Sequence, residues 1–169
     1  MVIKSFLKNH IKNMRRKDRE ITNTEIIREI LSTPGICRIV MVDDGEPYLV
    51  PLNYGYKDNA IYIHSAPQGK KIEILRKMNR VCFEIEYSSE VLKHDLPCEW
   101  TSKYRSLIGY GTIEIITDFE KKKQGLDIIM AQFGKSGENV YNDKNVEAIV
   151  ILKIKIRQIS EKQHGEWDH

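Results

Sequence analysis

Residues 36–56, ICRIVMVDDGEPYLVPLNYGY, decide how the chain is read. ICRIVMV is short, apolar and rich in β-branched residues, and Asp44-Gly45 supplies the chemistry of a tight turn before PYLVPLNYGY returns. Two antiparallel strands are expected to meet there, the second over about 47–56. Pro51 cannot donate to a ladder, so it belongs at a sheet edge or a bulge, and the interruption is a natural place for a gap in the sheet.

Downstream, Lys57-Asp58-Asn59 reads as a turn and AIYIHS (60–65) as a third strand. Pro67, Gln68 and Gly69 lead into KKIEILRKM, where Ile72, Leu75 and Met78 line one side of a helix. A strand over 80–87, an irregular stretch over 88–102 and a long strand over about 104–117 follow, with Gly109 and Gly111 as bend or bulge points. A helix over about 118–133 opens at the cap-like Thr117-Asp118, and a last strand over 146–157 alternates Ile and Lys in its second half, giving one wet face. Upstream, residues 8–19 are charged and aperiodic, an exposed arm. Thr22 opens a T-N-T-E capping pattern for a helix over about 23–32 that ends before Pro34 and Gly35. Six strands that hairpins or short helical excursions can join, with no βαβ rhythm, predict a mainly β single domain over 1–169: an antiparallel barrel with peripheral helices, an N-terminal arm (1–20) and a mobile C-terminal tail (158–169).

The 169 residues carry 27 Lys and Arg against 24 Asp and Glu, a net charge of +3, too weak a bias to nominate nucleic acid. Three cysteines, Cys37, Cys82 and Cys98, form no C-x-x-C spacing, so neither a disulfide framework nor a zinc cluster is indicated and a reducing cytoplasm fits. No stretch approaches the roughly 18 apolar residues of a membrane span, so no membrane partner is expected. A metal site at His164, Asp168 and His169 is not expected in a terminal tail. Nucleophile-elbow, zincin, P-loop and dinucleotide-binding motifs are all missing from the sequence.

HSAPQGKK (64–71) is the segment richest in chemistry. It joins a strand to a helix, with Ser65 as a cap, Gly69 where backbone can approach a ligand, and Lys70 and Lys71 in the first helical turn. Cations are unfavourable at that end of a helix, by about 0.3–1 kcal/mol each, unless an anion joins them. The residues are compatible with a phosphate site and equally with two solvated lysines on a surface helix. Arg38 is the second anomaly: strand alternation puts it on the side of Ile36 and Val40, where solvent is not the obvious destination. Trp100, Tyr104, Arg105 and Ser106 form a third cluster, able to cover a planar ligand, pack a subunit interface or simply fill a core. His64 read alone is more readily a structural histidine than a catalytic one.

MRRKDREI (14–21), CRIVMVDDGEPYLVPLNYGY (37–56), IYIHSAPQGKKIEILRKMNRVCFEIE (61–86) and WTSKYRSLIGYG (100–111) together resemble the nitroimidazole-resistance (Nim-type) proteins of the pyridoxamine 5′-phosphate oxidase-related superfamily. The resemblance runs from about Met14 to Arg157. It implies a six-stranded Greek-key split barrel, a homodimer, and FMN held in a groove at the subunit interface. It also implies a phosphate held by Ser65, Lys70, Lys71 and Arg38, and a ring lying along Ile39, Val40 and Pro51-Leu52-Asn53. Ser106 would add a polar contact, Trp100 and Tyr104 of this chain or its partner would close the site, and His64 is the candidate catalytic residue. The implied activity is an FMN-dependent oxidoreductase passing electrons to a small acceptor such as a nitroaromatic, with a nicotinamide cofactor as possible donor. Oxidation of a pyridoxamine or pyridoxine phosphate, and binding of flavin or haem without turnover, are the alternatives.

Overall fold

The computed structural model describes residues 14–137 and 139–167, without the side chains of residues 88 and 89. The first thirteen residues of the expected arm, together with Asp168 and His169, lie outside the described residues. Helix α1 (Thr24–Ser32) buries Ile26, Ile27, Ile30 and Leu31. Its cap is Asn23, whose side chain accepts from the Glu25 N–H, rather than Thr22 one residue earlier.

The hairpin of 36–56 forms as β1 (Ile36–Asp43) and β2 (Glu46–Asn53), with Asp44 and Gly45 both at positive φ (50° and 92°) as a two-residue turn requires. The expected return strand is divided at Tyr54, so the described residues form seven strands where six were expected. β3 (Gly55–Lys57) follows β2 in the chain but pairs with β4 (Ala60–Ser65) at the far edge of the sheet. The remaining strands are β5 (Arg80–Leu92), β6 (Thr101–Ile116) and β7 (Val150–His164), in the spatial order β2-β1-β5-β6-β7-β4-β3. Every pairing is antiparallel, and the sheet curls on itself without closing. One residue connects the two edges. Tyr54 is fully buried there, and its hydroxyl donates to the Thr33 carbonyl at 3.1 Å, which ties the crossing to the end of α1.

Inward-facing Cys37, Ile39, Met41, Ile61, Ile63, Phe83, Leu107, Leu152 and Ile154 fill the barrel, joined by α1 and by α2 (Lys70–Lys77), which contributes Ile72, Ile74 and Leu75. Met78, expected on that buried stripe, is the C-cap and is exposed, because the helix ends one residue before it. Helix α3 (Phe119–Gln132) begins at Asp118, whose side chain accepts from the Lys121 N–H, and packs Ile129 on Ile116 and Ile151 outside the barrel. A short α4 (Asp143–Glu147) occupies the start of the stretch expected as the last strand.

Two extensions correct the sequence reading. β5 continues to Leu92 and β6 begins at Thr101, so both ends of the expected irregular stretch are strand and residues 93–100 form the loop between them. The expected tail is strand as far as His164, because residues 158–164 pair with Tyr104–Tyr110 of β6, which is too long to be covered by the first half of β7. The register slips between Tyr110 and Gly111, leaving Arg157 as the extra residue of a bulge. A Cβ at Gly111 would lie 2.6 Å from Ile154 Cγ2 and 2.7 Å from the Lys155 carbonyl oxygen, so the slip needs a residue without one.

Candidate functional site

The gap lies where β2 leaves its neighbour. Among the described residues β2 pairs only with β1, and β4 runs three residues beyond the part that β3 covers, so Pro51-Leu52-Asn53 and Ile63-His64-Ser65 end on two free sheet edges. Pro51 is thus on an edge strand, opposite Arg38, as its missing N–H demands. Gly69, with φ of 102°, is the N-cap that turns the chain into α2 beside this gap. Ser65 is not that cap: it is buried at the end of β4, four residues too early, and its hydroxyl donates to the Ala66 carbonyl at 3.0 Å.

The expected cations take different positions. Lys70 Nζ lies 3.5 Å from Asp43 and 4.9 Å from the centre of the Tyr48 ring, while Lys77 reaches the same carboxylate at 3.6 Å. Asp43 is the resident counter-ion that the sequence reading missed. No local pattern marks it, since Asp43 meets Lys70 and Lys77 only through the packing of α2 against β1. Arg38 lies on the outer face of β1, where its Nη1 meets Glu84 at 2.9 Å. Solvent does reach that face, because β1 buries Cys37, Ile39 and Met41 and turns Ile36, Arg38 and Val40 outward. Arg38 and Asp43 are five residues apart and point to opposite faces, so a single chain does not bring Arg38 beside Lys70. Lys71 is half-buried, and burial lowers its pKa with no carboxylate acting against it. The Gly69 carbonyl already accepts from the Ile72 N–H at 2.9 Å and from the Glu73 N–H at 3.1 Å, so among the described residues the free N–H groups at this helix start are those of Lys70 and Lys71.

His64 is exposed on the outer side of β4, opposite Ile151, and makes no hydrogen bond among the described residues. Ile39 is fully buried, which withdraws its side chain from any ligand. Val40 and Asn53 face outward. Leu52 is half-buried against the core.

Trp100, Tyr104 and Ser106 stand apart. Trp100 is 49% exposed at the base of the β5–β6 loop, its indole donating to the His94 carbonyl at 2.6 Å. The Tyr104 hydroxyl accepts from Arg19 at 3.3 Å. Tyr104 lies six residues, about 20 Å of strand, from Tyr110, which shares a row with Val40 and Cys82. Arg105 faces inward, buried against Glu29 at 3.0 Å and stacked on Trp167.

Among the described residues no group of His, Cys, Asp and Glu could hold a metal, and no helix is long and apolar enough to cross a membrane. What the gap offers is an unneutralised ammonium, free helix-terminal N–H groups and flanking apolar strand edges. That is chemistry for holding an anion attached to a planar, apolar body.

An open antiparallel barrel divided at one strand, with flanking helices, defines the split-barrel class. The family model of pyridoxamine 5′-phosphate oxidase matches residues 23–163, and the chain belongs to that family. No curated protein matches it. Among solved structures, it is 31% identical to one described as a candidate 5-nitroimidazole antibiotic resistance protein from Bacteroides thetaiotaomicron, with 85% of each chain covered and a TM-score of 0.75. Two others share the fold at lower identity. A FAD- and haem-binding protein from Mycobacterium smegmatis is 22% identical (89% of this chain, 76% of that one, TM-score 0.78). The flavocytochrome Anf3 from Azotobacter vinelandii is 17% identical (93% and 75%, TM-score 0.79).

Proposed function

We propose that the chain is an FMN-binding oxidoreductase that works as a homodimer. The observation that carries the reading is Lys71: a half-buried ammonium with no opposing carboxylate, in the first turn of a helix beside a gap in the sheet. A flavin phosphate supplies the missing charge. Lys71 and the helix-terminal N–H groups hold it, Lys70 joins by exchanging Asp43 for the phosphate, and Val40 and Pro51-Leu52-Asn53 back the ring. Bound flavin would supply the redox chemistry, taking electrons from a reduced nicotinamide and giving them to a small acceptor such as a nitroaromatic. His64, solvent-facing on β4, is the candidate to hold or donate a proton at the acceptor.

The second copy has a surface waiting for it. Ile36, Val42, Leu49, Ile108 and Tyr110 are each at least 40% exposed on the outer face of β2, β1 and β6, a run of apolar side chains on one side of the sheet. Pairing through this face lets Trp100, Tyr104 and Ser106 of one chain close the site of the other, which the 20 Å separation forbids within one chain. A second reading, a carrier of flavin or haem without turnover, draws on the exposed His64 imidazole, which is open to an iron.

Titrating FMN into wild type, Lys71→Ala and Arg38→Ala by flavin absorbance tests the anchors. The proposal expects Lys71→Ala to weaken binding at least tenfold, on the scale of a lost charge-assisted hydrogen bond. Unchanged affinity in both variants would contradict the phosphate assignment, and an intense Soret band on adding haem would favour the carrier.

A further inference from the structure

At the end of β1 one carboxylate serves two cations. Asp43 lies 3.5 Å from Lys70 Nζ and 3.6 Å from Lys77 Nζ, and neither lysine meets another carboxylate within ion-pair distance among the described residues. The two lysines open and close α2, about 10 Å apart along its axis. Asp43 shares the inner side of the hairpin with Met41 and Tyr48, whereas Val42 and Leu49 point the other way. The cluster is therefore on the side away from the face given to the second copy.

The place of Lys70 raises a difficulty that Lys77 removes. Lys70 stands at the helix start, where its own N–H and that of Lys71 lack carbonyl partners and an anion would sit, yet its ammonium is already engaged. Asp43 is only 24% exposed. If Lys70 left it with no other partner, a largely desolvated carboxylate would be stranded, and that loss would oppose anion binding. With Lys77 in place, Asp43 keeps one ammonium while Lys70 turns to the ligand. Lys77 itself, two helical turns away, is too far to touch an anion at the first turn.

We propose that Lys77 is a positioning residue for the flavin phosphate: it holds Asp43 so that Lys70 is released to the anion. This rests on the flavin reading and adds to it a residue that never meets the cofactor. Asp43 is then a resident anion that the phosphate displaces from Lys70 alone.

The test is FMN titration, followed by flavin absorbance at one ionic strength, of wild type, Lys77→Met, Lys77→Arg, Asp43→Asn and the Asp43→Asn, Lys77→Met double variant. Lys77→Met is expected to weaken binding about fivefold, on the scale of an exposed ion pair, and Lys77→Arg to retain it. Asp43→Asn tightens binding, because Lys70 is then free from the start. In the Asp43→Asn background Lys77→Met changes nothing, whereas a mere loss of positive charge would weaken binding in both backgrounds. Equal effects of Lys77→Met in the two backgrounds, or weaker binding by Asp43→Asn, overturn the proposal. Lys77 is exposed, so its variants are expected to fold, and an unaltered circular dichroism spectrum verifies it. Should Asp43→Asn not fold, Lys77→Met against Lys77→Arg decides, and equal affinities overturn the proposal. Wild type that binds FMN with no response to these variants removes the role of Lys77 and leaves the flavin reading standing, whereas wild type that binds no FMN contradicts both.

Discussion

At the scale of single residues the molecule places its charges unevenly. Arg38, Lys70, Lys77 and Arg105 each rest on a carboxylate, while Lys71 bears a desolvated charge with none. A group held at such a cost by the empty protein serves a ligand better than it serves the fold. Lys71→Met is therefore expected to leave the thermal midpoint of the flavin-free protein unchanged or raised while weakening FMN binding at least tenfold. Paired thermal melts and titrations check this, and a midpoint that falls by several degrees would assign Lys71 to the fold instead. Much of this was legible in the sequence: two lysines after a glycine at a strand-to-helix junction are out of place without an anion. The counter-ions were not legible, since Asp43 and Glu84 meet their cations only through strand pairing and helix packing.

At the scale of elements, the turns and strand order along the chain follow from local chemistry. Asp44-Gly45 and Asp58-Asn59 adopt the left-handed backbone their residue types permit. What local chemistry does not carry is strand length where pairing decides it. Residues 158–164 look like a tail because their alternation is polar, yet they supply the partner that β6 needs. Glu161, in that extension, is fully buried, and burial together with nearby Glu20 pushes its carboxyl up to about 8 from 4.5. The folded state therefore favours the protonated form. This contribution to stability is complete below about pH 4.5 and is lost as pH rises through about 8. Denaturant unfolding at pH 6 and pH 9 should show wild type losing more stability between them than Glu161→Gln, and parallel losses would contradict the burial argument.

At the scale of the whole molecule, β2 and β3 are one residue apart in sequence and occupy opposite edges of the sheet. Pro51 signalled an interruption in the sequence, but the jump itself depends on Tyr54 docking beneath α1, a contact no local pattern announces. The same long-range packing leaves one apolar sheet face exposed and sets Tyr104 about 20 Å along β6 from the row of Val40, with Trp100 farther off in the β5–β6 loop. Light scattering on the eluting protein should therefore give the mass of two chains. Tyr110→Glu, a charge set into that face, should shift it toward one chain and lower flavin retention with it. A monomeric wild type would remove the partner's part in the site.

The central claim, that the gap beside Lys71 holds a flavin, is tested most directly by adding FMN to the purified protein, desalting, and reading the visible spectrum. The account predicts retained flavin bands at one equivalent per chain for wild type and little for Lys71→Ala. Complete release of FMN by wild type would contradict it.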